Sequence, residues 1–220
     1  DATPKHKILG YYHDPSSKLS KTRREIIRLE EHKRKGFAAL PITGFNDYGL
    51  LEEPFALILG AMIGDGTFSQ KSIGFFAHDP LIIEDLRDHV KQFNFIVKHS
   101  GTYGLRYSII DLDPIPYEKN VGSLKPRSRL ITRLRELDMM GHKHDTKFIP
   151  KEVDTWDNES VAKLLGGLIS TDGTIGGVKK VNNSIAIRLV MSSKQVIEKA
   201  QELFRNRFGI YTGPIITVKA

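Results

Sequence analysis

The sequence predicts an α+β protein built from two related halves. Three observations carry this reading. The chain has 220 residues, 40% hydrophobic and 27% charged, close to the ~45–50% and ~25% of ordinary soluble domains. A nine-residue apolar segment occurs twice, 107 residues apart. After each copy, short strand-like runs and helix-like runs follow in a similar order. A chain of this length can bury roughly 70% of its unfolded surface and needs no cross-links to fold.

Composition narrows the function. There is no cysteine, which excludes disulfides, thiolate metal sites and a cysteine nucleophile. No uncharged apolar run approaches the ~18 residues of a membrane span, and Asp1–His6 is polar rather than signal-like. The expectation is an intracellular protein with no membrane partner. Lysine plus arginine number 33 against 26 acids, and the pI is near 9.5. Such a balance favours a polyanion as partner.

Taken in order, residues 1–50 hold ten basic and six acidic residues, more than half of the chain's excess. Within them, Ser20–Lys35 reads as a helix: Ser20 is a candidate N-cap and Gly36 a stop. Ile26, Ile27 and Leu29 form a narrow apolar stripe, and Arg23, Arg24 and Arg28 lie among seven basic residues suited to phosphates. Residues 37–53, with Pro41, Gly44, Asn46 and Gly49, read as a linker. The first copy of the repeat is 58–66. It is followed by strand-like Thr67–Gln70 and Ile73–His78, a helix over Pro80–Phe95, strands Phe95–His99 and Leu105–Ile110, and a helix over Ser128–Met140. The second copy is 165–173. After it come strands Ile175–Val178 and Ile185–Val190, a helix over Ser193–Phe208 and a strand over Ile215–Val218. Counterparts of the last strand and helix of the first half are not found, so the second half reads as incomplete.

Each copy is an apolar helix that ends in Asp-Gly. Gly60 and Gly64 are four apart, as are Gly167 and Thr171, so each pair shares a helix face. Small residues on such a face let two backbones approach closely. That accounts for the glycines but not for the acids, since a carboxylate at a helix C-terminus meets the negative end of the macrodipole. If the two helices pack parallel, Asp65 and Asp172 meet at one end and raise each other's pKa. A hard divalent cation resolves that conflict, and Mg²⁺ binds through one or two carboxylates together with substrate phosphates. Such a site suits attack of activated water on a phosphodiester.

The two segments resemble the paired signature of LAGLIDADG homing endonucleases. Leu165–Gly173 matches it at six of nine positions, and the resemblance covers roughly residues 54–220. It implies two pseudo-symmetric αββαββα half-domains packed through the signature helices, with saddle-shaped sheets on the DNA major groove. Domains of 1–50, 51–157 and 158–220 follow: a basic N-terminal segment, a first half and a C-terminally incomplete second half. The resemblance puts the catalytic, metal-binding acids at Asp65 and Asp172, with Mg²⁺ or Mn²⁺ as cofactor. The family's often acidic sixth position is Ile63 and Ser170 here. Lys147-Phe148-Ile149-Pro150 resembles the block ahead of the second signature helix in the intein-borne branch, which implies a catalytic Lys147. Ala2-Thr3-Pro4-Lys5-His6 is similar to the Thr-x-x-His block of intein splicing domains, implicating Thr3 and His6. No nucleophile opens this chain and no His-Asn ends it, so the chain as it stands is not expected to splice unaided.

Sheet positions expected to touch DNA are Ser69, Lys71, Arg106 and Tyr107 in the first half. In the second half they are Lys179, Lys180, Arg188 and Ser192, and Arg23, Arg24 and Arg28 add an N-terminal contribution. The expected partner is double-stranded DNA with a long specific site, bound by a monomeric pseudo-dimer that another intein fragment could complete. Other functions stay open on the sequence: a non-catalytic DNA-binding regulator, an RNA maturase, or a splicing module with a relic nuclease. His142, His144 and Asp145 form no plausible zinc set and read as a polar loop.

Overall fold

The computed structural model describes residues 7–13, 22–28, 49–68, 73–77, 79–100, 105–116, 127–177, 185–210 and 212–217. Among them lie five α-helices and three antiparallel sheets. The class is α+β, as the patterns predicted.

Two apolar helices form the centre. α1 (Ala56–Asp65) is buried almost all round, with Ile58, Leu59, Met62 and Ile63 at 1% exposure or less; a helix apolar on every side belongs inside. α4 (Asn158–Asp172) starts at the Asp157 N-cap, whose carboxylate accepts from the Ser160 amide at 2.7 Å. The two pack glycine against backbone. A Cβ on Gly60 would fall 1.9 Å from the Leu164 carbonyl oxygen, and one on Gly167 would fall 2.2 Å from that of Leu57. Further along, Gly64 faces Thr171 and Asp172. Contacts advance in the same direction on both helices, so the pair is parallel and their C-termini lie together.

β3 (Gly66–Phe68) continues directly from α1. With β4 (Ile73–Phe76), β5 (Phe95–His99) and β6 (Arg106–Asp111) it builds a four-stranded sheet in the order β3-β4-β6-β5. Phe68, Ile73, Phe75, Phe95, Val97 and Ile109 turn into the core. Phe76, Ile96, Lys98, Arg106 and Ile110 are exposed. α2 (Pro80–Lys91) starts on an Asp79 cap and buries Ile83, Leu86 and Val90, at helical spacing. α3 (Arg129–Glu136) buries Leu130 and Leu134. Arg129 ties it to β6: its amide and guanidinium both bind the Asp111 carboxylate, at 2.7 Å each, and its Nη2 also donates to the Phe93 carbonyl at 2.6 Å. Burial opposes the charge on Asp111, yet these bonds hold its carboxyl below the usual range.

β7 (Gly173–Gly177) continues from α4 as β3 does from α1, and pairs with β8 (Ile185–Leu189). α5 (Lys194–Phe208) ends on Gly209, in the left-handed region at φ 63°. It is fastened to the 3-10 turn Lys151–Thr155: Lys199 bonds both Asp154 oxygens, and the buried Arg207 donates to the Asp154 carbonyl at 2.6 Å.

Several expectations are corrected. The N-terminal segment is not a helix over Thr22–Arg28: these residues form β2, antiparallel to β1 (Lys7–His13). Register places Ile8 opposite Ile27 and Leu9 opposite Ile26. Adjacent β-branched isoleucines with apolar partners across the ladder suit a strand, whereas a three-residue stripe among cations gave a helix little to bury. The linker stops short of 53, because Leu51 bridges Trp156 and Glu53 is buried. The helix from Pro80 ends at Lys91, where Asn94 turns at φ 60°, and that from Ser128 ends at Glu136, before Asp138 at φ 55°. Residues 215–217 belong to no strand.

Candidate active site

The shared C-terminal end of α1 and α4 gathers the chemistry. Both helices stop in the same way. Gly66 and Gly173 cap them in extended conformation, and a Cβ at either would collide with the carbonyl oxygen four residues earlier, at 2.4 Å from Met62 and 2.2 Å from Ile169. A side chain is excluded, so each chain drops straight from the helix into a strand. This brings Asp65 and Asp172, the last residues of the two helices, to one place. Gly64 leaves the room they need: a Cβ there would lie 3.0 Å from an Asp172 oxygen and 2.0 Å from the Thr171 hydroxyl. Thr171 turns that hydroxyl back to its own helix, donating to the carbonyls of Gly167 and Leu168 at 3.2 and 3.1 Å.

Lys147 enters from a third direction. It is 5% exposed, and its Nζ donates to the carbonyls of Met62 at 3.2 Å and Gly64 at 2.5 Å, in the last turn of α1. The Phe68 ring lies 5.5 Å from Nζ. Its backbone is held too, since Ser193 donates its hydroxyl to the Lys147 carbonyl at 2.5 Å. The ammonium therefore crosses between the helices, bonded to the backbone of α1 and within electrostatic reach of both aspartates.

The charges record this crowding. Burial, then the neighbouring Asp65 carboxylate, push Asp172 up to about 6 against the pull of Lys147. Burial lowers Lys147 to about 8, although Asp172 and Asp65 favour its charged form. Two carboxylates and one ammonium share a half-dry corner with one excess negative charge. The donors are hard oxygens, which fit Mg²⁺ or Mn²⁺. Among the described residues no group of three or more His, Asp or Glu side chains forms. A hard cation here would complete its shell with water and substrate phosphate, as Mg²⁺ does. His142 is accounted for otherwise: its Nδ1 donates to the Thr146 carbonyl at 3.0 Å and its ring meets Phe148 edge-on.

The opposite end of the helix pair holds residues that the sequence reading missed. Glu53, 3% exposed, accepts from Arg133 Nε at 2.7 Å and from the Phe55 amide at 3.1 Å, while its own amide donates to Ser160 at 2.9 Å. Arg133 also binds Glu152, which accepts from the Trp156 indole at 3.4 Å. Burial works against the Arg133 charge, but Glu152 and Glu53 hold it firmly protonated. One ion cluster thus joins the entry of α1, the entry of α4 and α3. Arg133 standing between Leu130 and Leu134, both buried, was the one sequence signal of it.

The expected DNA contacts are only partly described. Arg106, Arg188 and Ser192 are exposed on or beside strands. Tyr107 is not beside Arg106: successive strand residues face opposite ways, and Tyr107 packs on the core and edge-on to His99. Arg23, Arg24 and Arg28 are on β2. Ser69, Lys71, Lys179, Lys180, Thr3 and His6 lie outside the described residues.

Comparison with known proteins adds an independent line. Residues 159–214 match the LAGLIDADG-like domain family, a stretch holding nearly all of α4 with Asp172, and α5. Over 193 residues, 86% of this chain, the sequence is 25% identical to the ribonucleoside-diphosphate reductase NrdEB subunit alpha of Bacillus subtilis (strain 168). The subunit of the same name from Bacillus phage SPbeta is similar to the same extent. The chain spans 17% of the length of these curated relatives.

Proposed function

We propose that this chain is a site-specific homing endonuclease that cuts double-stranded DNA, carried by an intein. The observation that carries the reading is the meeting of Asp65, Asp172 and Lys147 at the joint end of two glycine-sealed parallel helices. In this reading, 51–157 and 158–220 are two pseudo-symmetric halves around that pair, and 1–50 belongs to a splicing region or a DNA-binding arm. The intein setting gains support from the relatives. Alignment of nearly the whole chain with 17% of a reductase subunit is the pattern of a module inserted in a host polypeptide.

Asp65 and Asp172 would hold a divalent cation, which would supply Lewis-acid activation of water and neutralise charge on the scissile phosphate. The chain's own groups do the rest. The helix ends fix both carboxylates on packed backbone, so no loop must order itself before reaction. Lys147 presents a preorganised ammonium beside the reacting phosphate, where charge develops as the leaving oxygen departs. Its anchors on the carbonyls of Met62 and Gly64 fix the position of Nζ. Exposed Arg106 and Lys98 on the open sheet face offer contacts to phosphates. Retention of both acids and the lysine favours this reading over a non-catalytic regulator, a maturase or a relic.

The test is cleavage of plasmids carrying the uninterrupted host-gene sequence. A reductase-subunit gene with the aligned segment removed serves as one candidate target. Linear product with Mg²⁺ or Mn²⁺ and none with chelator is expected. Intact plasmid under all metals, with DNA binding retained, would overturn the nuclease reading.

A further inference from the structure

Lys147 is held at its root as well as at its tip. Its Nζ is bonded to the last turn of α1, and its amide donates to the Lys143 carbonyl at 2.9 Å. The remaining hold comes from Ser193, the residue that opens α5. Ser193 is 1% exposed, and its hydroxyl donates to the Lys147 carbonyl at 2.5 Å. A serine at a helix N-cap ordinarily turns its oxygen to an amide of its own first turn. Asp79 and Asp157 do so for α2 and α4. Ser193 occupies the same position on α5 and makes no such bond with its side chain. Its hydroxyl is directed to another element instead.

The docking of α5 has other supports. Val196, Ala200 and Leu203 are buried along the helix, and Lys199 and Arg207 bind Asp154. The consequence of the Ser193 bond therefore falls on Lys147. A lysine stem is flexible, so the ammonium keeps its place only if the backbone beneath it is fixed. We propose that Ser193 is a positioning residue, which holds the main chain of Lys147 so that the ammonium stays at the joint end of α1 and α4. This rests on the endonuclease reading above, and it ties the catalytic lysine to the seating of α5.

Two measurements on the full chain test it. The first is single-turnover cleavage of the plasmid described above. Ser193→Ala should cut ~10-fold or more slowly with DNA affinity unchanged, since a misplacement of about 1 Å can cost ~10²-fold. Ser193→Thr, which keeps the hydroxyl, should restore the rate. Lys147→Met/Ser193→Ala should cut no more slowly than Lys147→Met, because the serine acts through the lysine. The second needs neither DNA nor metal: acetylation by limiting acetic anhydride, read residue by residue by mass spectrometry. Lys147 should be modified several-fold faster in Ser193→Ala than in the parent or in Ser193→Thr, with the exposed Lys98 as reference. If Ser193→Ala loses its thermal transition, Ser193→Cys, a weak donor of similar size, should show the same changes in smaller measure. An unchanged cleavage rate and labelling ratio in a folded variant overturns the proposal. So does an equal loss of rate with and without Lys147, which marks Ser193 as merely structural. A parent chain that cuts nothing overturns the endonuclease reading instead, and the labelling ratio then decides by itself whether Ser193 holds Lys147.

Discussion

Gly60 and Leu164 meet so closely that a single added carbon at residue 60 would sit 1.9 Å from the Leu164 carbonyl oxygen. The obstacle is backbone rather than a flexible side chain, so neither helix can yield without moving as a whole. Gly60→Ala is expected to destabilise by ~3 kcal/mol, at the top of the range for overpacking. Gly166→Ala meets nothing within 4 Å and should be neutral or slightly stabilising through helix propensity. Urea unfolding of the two variants measures the contrast; equal stabilities would deny the tight seam.

Asp65→Asn and Asp172→Asn should each abolish cleavage and spare DNA affinity, since the open sheet face keeps its cations. Lys147→Met should behave differently. Cleavage should fall by ~10²–10³-fold, the loss found for a removed preorganised donor. Divalent-metal affinity should rise, because a competing cation has left the acids. Calorimetric titration with Mn²⁺ beside gel-based cleavage separates the two effects; metal affinity weakened by Lys147→Met would contradict the arrangement.

The same charges predict how metal-free stability follows pH. Asp172 is raised from 3.8 to about 6, so between those values the folded state holds more protons than the unfolded one. Its contribution is favourable at low pH and is lost as pH rises through about 6. Lys147 is lowered from 10.5 to about 8, so the unfolded state binds more protons between about 8 and 10.5, and its contribution improves as pH rises there. The site is least favourable to folding between about pH 6 and 8, where both groups are charged. Asp172→Asn should therefore stabilise the metal-free protein at pH 7 by ~1–2 kcal/mol after solvent screening at this half-buried position. Its effect should shrink below pH 4. Thermal melts across pH with chelator present read this directly.

At the far end, Arg133→Met strands the Glu53 carboxylate, which is 3% exposed. Breaking one partner of such a pair costs ~3 kcal/mol or more. Adding Glu53→Gln should recover part of that loss, a coupling that denaturation of the single and double variants quantifies.

The repeat, its small residues and its terminal acids were legible because they are local patterns with fixed spacing. Lys147 was legible from its block alone. Three features were not, each for a physical reason. β2 looked helical because arginine is a good helix former, and no local periodicity encodes its pairing with Lys7–His13. Tyr107 was set beside Arg106 in the groove, although alternation on one strand already forbade it. Glu53 was lost in a polar linker, since its partners Arg133 and Ser160 are 80 and 107 residues away.

The threonine at 171, opposite the glycine at 64, has a consequence for assembly. The hydroxyl of Thr171 occupies the very volume that Gly64 leaves vacant, 2.0 Å from where a methyl group would begin. At this level the seam has distinct sides, a filled one on α4 and an open one on α1, so the two helices are not interchangeable there and a methyl group at residue 64 would have to displace the hydroxyl that fills its place.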